Sequence, residues 1–174
     1  AVVKDGELIF VKGYGFADVK TRTPVTPDTM FRIGSITKLF TWTSVMQLVE
    51  QGKLDLDADV NAYLDFKIPH TFGKPVTLRN LMTHRGGFQE VIKNLGAQNS
   101  GKVDLKTYIR ENVPDQIFEP GTVPAYSNYG TALAGYIVER VSGVPFDTYV
   151  EEHIYAPLNM LRTSLDDLKI VDVR

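Results

Sequence analysis

The feature that most constrains the fold of this chain is a Gly-Ser-Ile-Thr-Lys-Leu segment at residues 34–39, which opens a long helical pattern. Positions three apart lie on one face of a helix, so the Ser35 hydroxyl and the Lys38 amine are predicted to meet over one patch of surface. Apolar residues then recur at helical spacing until Gly52 provides the stop. We therefore predict a helix over residues 35–51 whose first half is buried on nearly all sides.

The S-x-x-K pair has a chemical and a simpler interpretation. A serine hydroxyl becomes a nucleophile when a neighbouring base takes its proton, and a neutral lysine amine can be that base. Free backbone N–H groups at a helix N-terminus could also hold a developing oxyanion. In the simpler interpretation Ser35 is a helix N-cap and Lys38 is an exposed side chain one turn later. The pair alone does not distinguish the two interpretations, because the composition gives roughly 0.4 S-x-x-K matches by chance.

Two further segments give the pair a context. A Leu-Met-Thr-His-Arg-Gly-Gly segment lies at residues 81–87, and a Tyr-Ser-Asn segment lies at residues 126–128, directly before another predicted helix. Together with Phe31–Lys38, they resemble in order and spacing the motifs of the serine β-lactamase and penicillin-binding protein superfamily. The resemblance covers about residues 13–163. Its Y-x-N form is that of class C β-lactamases, D-alanyl-D-alanine carboxypeptidases and related esterases.

The resemblance implies a role for each residue of the candidate site. Ser35 would be the nucleophile that forms an acyl-enzyme, and Lys38 would be its base. Tyr126 would exchange protons with the leaving-group nitrogen and later with the attacking water, and Asn128 would bind the amide of the substrate and contact Lys38. Without the resemblance, Tyr126 is a loop aromatic residue and Ser127 or Asn128 is a helix N-cap.

The chain departs from the superfamily in its third motif. A K-T-G or H-x-G tripeptide should follow Y-x-N on a sheet strand, and none occurs after Asn128. The His-Arg-Gly letters at residues 84–86 come too early in the chain, and Gly86 stands in the place of a serine. We therefore expect a longer parent protein, truncated here at the C-terminus and also at the N-terminus. The second oxyanion donor would come from the missing strand, so we expect this fragment to be weak or inactive.

These patterns predict an α+β fold of the β-lactamase/transpeptidase type, incomplete, in one domain over residues 1–174. An Asp-Gly pair at residues 5–6 predicts a β-hairpin of residues 1–4 and 8–11, whose second strand continues to Val19. Residues 21–28 are predicted as a loop. Five further helices are predicted, at residues 57–64, 77–82, 104–112, 128–142 and 146–155.

Composition limits the partners. The chain has a net charge of −2 and no basic stripe of the kind that binds nucleic acid. The three histidines, His70, His84 and His153, lack ligand spacing, so we predict no metal site and no cofactor, and we interpret His84 as a hydrogen-bonded turn residue. The open hairpin edge and the buried helix predict self-association or pairing with a missing C-terminal half.

Three functional hypotheses stay open at this point. The first is a β-lactamase or peptidoglycan carboxypeptidase, which hydrolyses β-lactams or D-Ala-D-Ala peptides. The second is an esterase on the same scaffold, and the third is a non-catalytic binding or scaffold module. The resemblance implies a small-molecule or peptidoglycan-peptide substrate. It also implies a periplasmic or otherwise extracytoplasmic location in a bacterium.

Overall fold

The computed structural model describes residues 1–91 and 104–165 of the chain. Two compact units can be distinguished: a strand unit, made of residues 1–34 and the segment from Arg162 onward, and a helical unit, residues 35–161. Compactness is a property of contacts, whereas a domain is defined by folding on its own. The single domain over residues 1–174 therefore stays a prediction.

The strand unit contains the predicted hairpin. Strand β1 (Val2–Lys4) pairs antiparallel with β2 (Glu7–Phe10), and Lys4 lies opposite Glu7. The two turn residues, Asp5 and Gly6, both have positive φ, as a type I′ turn requires. The hairpin predicted from the Asp-Gly pair is confirmed.

The chain after the hairpin differs from the prediction. Strand β2 ends at Phe10, and a separate strand β3 (Phe16–Asp18) pairs antiparallel with β4 (Thr23–Pro24) inside the predicted loop. A side chain at Gly13 would collide with the Val25 carbonyl at 2.1 Å, so the glycine permits a close backbone approach. The continuous second strand to Val19 is wrong, because the chain turns at the glycines and forms a second hairpin, in which β3 pairs with β4 across the short segment of residues 19–22.

The four strands of the strand unit are exposed along their whole length. Apolar side chains such as Val3, Ile9 and Phe10 are among the exposed residues. Two-stranded pairs of this kind are marginally stable without a covering layer. The strand unit thus carries an uncovered apolar surface.

The helical unit begins with the predicted long helix. A 3₁₀ turn over Gly34–Thr37 leads into α1 (Lys38–Glu50), so the predicted extent is confirmed and only its first turn is tighter. The predicted burial is wrong. The buried residues of α1 follow one face at helical spacing, whereas Ile36 and Leu39 are exposed. Those buried residues are Thr41, Ser44, Val45 and Leu48.

Four of the five other predicted helices are present. They are α2 (Leu78–Met82), α3 (Leu105–Glu111), α4 (Asn128–Ser142) and α5 (Phe146–Val150), the last continuing as a π-helical turn over Glu151–Tyr155. Side chains cap the first three: Thr77 accepts from the Asn80 N–H, Asp104 from the Thr107 N–H and Ser127 from the Gly130 N–H.

The helix predicted over residues 57–64 is wrong. Only a 3₁₀ turn, Val60–Ala62, forms there, with Asp59 capping it through the Asn61 N–H. The backbone at the start of this turn bonds to a neighbouring segment instead: the Val60 N–H donates to the Val76 carbonyl at 2.9 Å, and the Leu56 carbonyl accepts from the Arg79 N–H. This non-local pairing replaces the local hydrogen bonds that a helix would need.

The helix buried on nearly all sides is α4 rather than α1. Every residue from Tyr129 to Val138 except Ala132 is buried, and α4 packs against α1, α2, α3 and α5. The N-terminus of α4 is therefore held in place by the core. Within residues 1–91 and 104–165, no helix is long and apolar enough to cross a membrane.

Candidate active site

The side chains of Ser35, Lys38 and Tyr126 meet at the start of α1. Ser35 Oγ and Tyr126 Oη lie 2.5 Å apart, in a hydrogen bond where either hydroxyl can donate. Lys38 Nζ donates to Ser35 Oγ at 3.1 Å, because the 3₁₀ turn and the first turn of α1 place both side chains on one face. The serine hydroxyl therefore lies between an amine and a phenol.

Asn128 joins the same network from the N-terminus of α4. Lys38 Nζ donates to Asn128 Oδ1 at 2.7 Å, so the lysine bridges two side chains that belong to different helices. All four residues named from the sequence, Ser35, Lys38, Tyr126 and Asn128, are thus brought together by the structure. The arrangement contradicts the simpler interpretation of Ser35 as a helix N-cap with an exposed Lys38 one turn later, because Lys38 is half-buried and Thr37 stands at the N-cap position of α1.

The segment that carries Tyr126 is fixed by His84. The Ala125 N–H donates to the His84 carbonyl at 2.7 Å, and the Ser127 N–H donates to His84 Nδ1 at 3.3 Å. The His84 ring also packs on the Tyr126 ring, with 4.4 Å between centroids. His84 itself has a φ of 54°, which is uncommon for a residue other than glycine. The interpretation of His84 as a hydrogen-bonded turn residue is confirmed.

Charge in this site acts on Tyr126 and His84. Hydrogen bonds with Lys38 and then with Ser35 lower the pKa of Tyr126 below its ordinary value, and the Lys38 amine lies 4.8 Å from the ring centroid. Burial, and then the charge of Lys38, lower the pKa of His84. His84 is therefore neutral at pH 7 and can accept at Nδ1, and Tyr126 gives up its proton more readily than a free phenol.

Sequence reasoning missed Glu90. One carboxylate oxygen of Glu90 accepts from the Asn128 backbone N–H at 2.9 Å, and the other accepts from Asn128 Nδ2 at 2.5 Å. The two residues lie 38 positions apart, and a lone glutamate after a glycine turn carries no local signal of such a contact. The resemblance of residues 81–87 could have directed attention to the residues that follow them.

Among the described residues, no group of three or more histidines, cysteines, aspartates or glutamates is placed to hold a metal ion. At the site, a hydroxyl, an amine, a phenol and an amide are linked by hydrogen bonds. Groups of these kinds can act as a nucleophile, a base, a proton carrier and a substrate-binding amide.

A comparison with known protein families shows to which family the chain belongs. The family model described as Beta-lactamase matches residues 1–174. This chain belongs to the β-lactamase family. The resemblance drawn from the three motifs is confirmed.

Relatives of this β-lactamase family member include PbpX of Bacillus subtilis (strain 168), which is named as a penicillin-binding protein. It is 34% identical over 160 residues, which make up 91% of this chain and 39% of PbpX. An octameric penicillin-binding protein homologue from Pyrococcus abyssi is 35% identical with a TM-score of 0.76, over 91% of this chain and 38% of that one. The predicted fold class, an α+β fold of the β-lactamase/transpeptidase type, is confirmed.

Two hydrolases share the fold of this family member. A D-amino acid amidase from Ochrobactrum anthropi SV3 is 31% identical with a TM-score of 0.69, over 83% of this chain and 40% of the amidase. EstCE1, a hydrolase with promiscuous acyltransferase activity, is 25% identical with a TM-score of 0.76, over 88% of this chain and 44% of EstCE1. The chain spans less than half the length of each of these four relatives.

Proposed function

We propose that this chain carries the nucleophile side of a serine hydrolase that works through an acyl-enzyme. The observation that supports it is the unbroken network from Tyr126 Oη through Ser35 Oγ and Lys38 Nζ to Asn128 Oδ1. A structural N-cap and a surface lysine need no phenol and no second amide at such distances. Four groups that suit one acyl-transfer reaction meet around one hydroxyl.

In the proposed reaction, Lys38 takes the proton of Ser35 as Oγ attacks the carbonyl carbon of the substrate. The C–O bond forms, and the carbonyl electron pair moves onto oxygen. As the tetrahedral intermediate collapses, Tyr126 gives its proton to the leaving group and is reprotonated by Lys38. Water then attacks the acyl-enzyme, gives a proton back through the same groups and releases the acid.

The lowered pKa of Tyr126 supports its place in this proton path. A phenol whose pKa lies nearer to neutrality is a better proton carrier at pH 7 than a free tyrosine. The Ser35 backbone N–H, in the first helical turn, is the proposed oxyanion donor on this side of the site. One missing donor costs roughly 10²–10³ in rate in proteases, so we expect the chain alone to react slowly.

The first substrate class we propose is a β-lactam or a D-Ala-D-Ala peptide, in keeping with PbpX and the Pyrococcus relative. The second is a short acyl ester, which the likeness to EstCE1 favours. Asn128 distinguishes them, because its amide can bind the amide of a peptide or β-lactam side chain and has no such partner in a simple ester.

The test is covalent labelling of the chain by a fluorescent penicillin and by a fluorophosphonate. We expect Ser35→Ala to abolish labelling, and Ser142→Ala, a serine at the far end of α4, to leave it unchanged. Turnover of a chromogenic cephalosporin against a p-nitrophenyl ester then separates the two substrate classes. If neither probe labels the chain or the longer parent protein expected for it, the proposal fails and a non-catalytic module takes its place.

We also propose that the chain associates through the exposed strands of the strand unit, with a second copy or with a separate C-terminal half. The exposed apolar side chains there support it, as does the octameric state of the Pyrococcus relative. We expect Ile9→Lys to shift sedimentation toward the monomer, and Lys20→Ala, an exposed polar position of the same unit, to have no effect. A monomer at all concentrations would contradict the proposal.

An extracytoplasmic location in a bacterium follows from the proposed peptidoglycan-type substrate and is part of the same proposal. Fractionation of the natural source against marker proteins of each compartment tests it. Recovery of the protein with the cytoplasmic marker would count against both the location and that substrate class.

A further inference from the structure

Glu90 has no role in the reaction proposed above, yet its carboxylate accepts a hydrogen bond from the Asn128 amide, whose oxygen accepts from Lys38. We infer that Glu90 is a positioning residue that fixes the Asn128 side chain with its carbonyl toward Lys38, an inference that rests on the proposed function. Glu90 accepts from Asn128 Nδ2 at 2.5 Å, and Asn128 Oδ1 accepts from Lys38 Nζ at 2.7 Å.

The argument starts from the polarity of an amide. An asparagine side chain has a donor end and an acceptor end, and a rotation by 180° exchanges them with little change of shape. An ionised carboxylate only accepts, so it holds the Nδ2 end of Asn128 toward Glu90. The Oδ1 end is then left for Lys38, which donates to it. Because a hydrogen bond to an ionised group is stronger than one between neutral groups, the carboxylate sets the orientation firmly.

The carboxylate of Glu90 is itself held in place. Its second oxygen accepts from the backbone N–H of Asn128, the first residue of α4, where a negative charge is favoured. The neighbouring Gln89 N–H donates to the Asp115 carbonyl at 2.8 Å, which ties the backbone beside Glu90 to another segment. Since α4 lies in the core, its N-terminus holds the Glu90 carboxylate in a fixed position relative to the Asn128 side-chain amide.

This orientation has a consequence for the reaction. Nδ2 carries two hydrogens, so one binds Glu90 and the other is left for a substrate carbonyl. Lys38 stays between Asn128 and Ser35 only while Oδ1 faces it. If the amide flips, two donors face each other and the lysine leaves the serine. A misplacement of about 1 Å costs roughly 10²-fold in rate.

The test compares fluorophosphonate labelling rates of Ser35 in several variants, since this probe has no amide for Asn128 to bind. Glu90→Gln places an amide donor where the carboxylate was and favours the flip, so we expect labelling to slow by roughly 10²-fold. Glu90→Ala removes the constraint without favouring the flip, and we expect a smaller loss. Gln89→Ala and Glu50→Gln, an exposed neighbour and a distant charge, serve as controls that keep the wild-type rate.

Exchange of the two partners gives a rescue. In Glu90→Gln with Asn128→Asp, the introduced amide accepts from the backbone N–H of residue 128 and donates to the introduced carboxylate, whose other oxygen accepts from Lys38. We expect this double variant to label faster than both single variants. A double variant that is not faster than both, or a Glu90→Gln variant that labels as fast as the wild type, overturns the inference.

A readout without chemistry separates this inference from the proposed function. In the wild-type NMR spectrum, we expect one Nδ2 proton of Asn128 to lie downfield because a carboxylate accepts from it. The shift should disappear in Glu90→Ala and persist in Gln89→Ala, with thermal unfolding as the check on folding. If the wild-type chain does not label at all, the proposed function fails, and this spectrum alone decides the inference. If the chemical shift of the Asn128 Nδ2 proton is unchanged in Glu90→Ala, the inference is overturned.

Discussion

The strand unit and the helical unit solve the problem of covering apolar surface in opposite ways. In the helical unit, α4 is wrapped by four other helices and its apolar side chains are buried. In the strand unit, all four strands are exposed, with apolar side chains at the surface. The two regions are similar in their apolar content and differ in what covers it.

The difference follows from where each element finds its hydrogen-bond partners. A helix satisfies its backbone within its own segment, so a bundle of helices can close its core with neighbours along the chain. A strand needs another strand beside it and a layer on its face. The candidate site, formed by Ser35, Lys38, Tyr126 and Asn128, lies wholly in the helical unit. We therefore expect its geometry to depend on that unit.

The largest effect is expected from an isoleucine pair. Ile137 in α4 is 0% exposed and Ile9 in β2 is 60% exposed. Ile137→Ala should lower the free energy of unfolding by about 2–5 kcal/mol, because it removes buried methyl groups and leaves a cavity. Ile9→Ala should change it by less than about 0.5 kcal/mol. Urea unfolding followed by circular dichroism measures both, and equal losses would show that the hairpin is covered by something in solution.

An ion-pair comparison should give a smaller effect. Asp65 is 24% exposed and accepts from Lys106 and the Tyr136 hydroxyl, whereas Asp28, 71% exposed, pairs with Arg162 in the strand unit. The hydrogen bond from Lys106 lowers the pKa of Asp65 from 3.8 to about 2. The contribution of this ion pair to the free energy of unfolding is therefore present above about pH 4 and is lost as the pH falls toward 2. It is on the order of 1 kcal/mol after screening by solvent.

Acid unfolding tests this comparison. Asp65→Asn should lower the free energy of unfolding at pH 7. In this variant the free energy of unfolding should also fall less steeply between pH 4 and pH 2. Asp28→Asn should leave both almost unchanged, because exposed pairs contribute little. A larger loss from Asp28→Asn than from Asp65→Asn would reverse the contrast between the two units.

The smallest effect is expected from His84, and it should appear only in the helical unit, since all three histidines lie within residues 35–161. The pKa of His84 is lowered by burial and by Lys38, while Glu90 opposes the shift. Stability linked to His84 is present above its unfolded pKa of about 6.5 and is lost as the pH falls through the lower, folded value. Protonation removes the acceptor at Nδ1, so the protection of the Ser127 amide against hydrogen exchange, relative to an unfolded peptide at the same pH, should fall in acid.

An NMR titration of the His84 ring gives the second measurement. We expect a midpoint below 6.5, accompanied by a loss of hydrogen-exchange protection at the Ser127 amide, which donates to His84. Backbone amides of β1 and β2 act as the internal control, because no histidine lies in the strand unit. A midpoint above 6.5 would mean that Glu90, rather than burial and Lys38, dominates the environment of the ring.

The sequence was sufficient to predict those features that depend on residues close together in the chain. The helices predicted over residues 77–82 and 104–112 form with Thr77 and Asp104 as their caps, and α4 begins at Asn128 and ends at Ser142 as predicted, because capping depends on residues three or four apart. The S-x-x-K pair is local as well. The convergence of Tyr126 with it was accessible only through the motif resemblance, because the two positions are 91 residues apart.

The sequence was insufficient where partners are distant. The bond from Val60 to Val76 and the hydrogen bonds of Glu90 with Asn128 depend on tertiary packing that no local pattern encodes. The burial of α1 was overestimated for the same reason. An apolar composition shows that a helix can be buried, but only its neighbours decide how much of it is.

The bond between Lys38 and Asn128 also joins the positive poles of two macrodipoles, since one residue opens α1 and the other opens α4. Each pole corresponds to roughly half an elementary charge. Glu90 already neutralises the pole of α4, whereas Ser35 stands directly before the pole of α1. The electrostatic potential at the two helix ends is thus uneven before the reaction begins, because the Glu90 carboxylate compensates only the pole of α4. Negative charge that forms on the serine oxygen arises where that potential is still uncompensated.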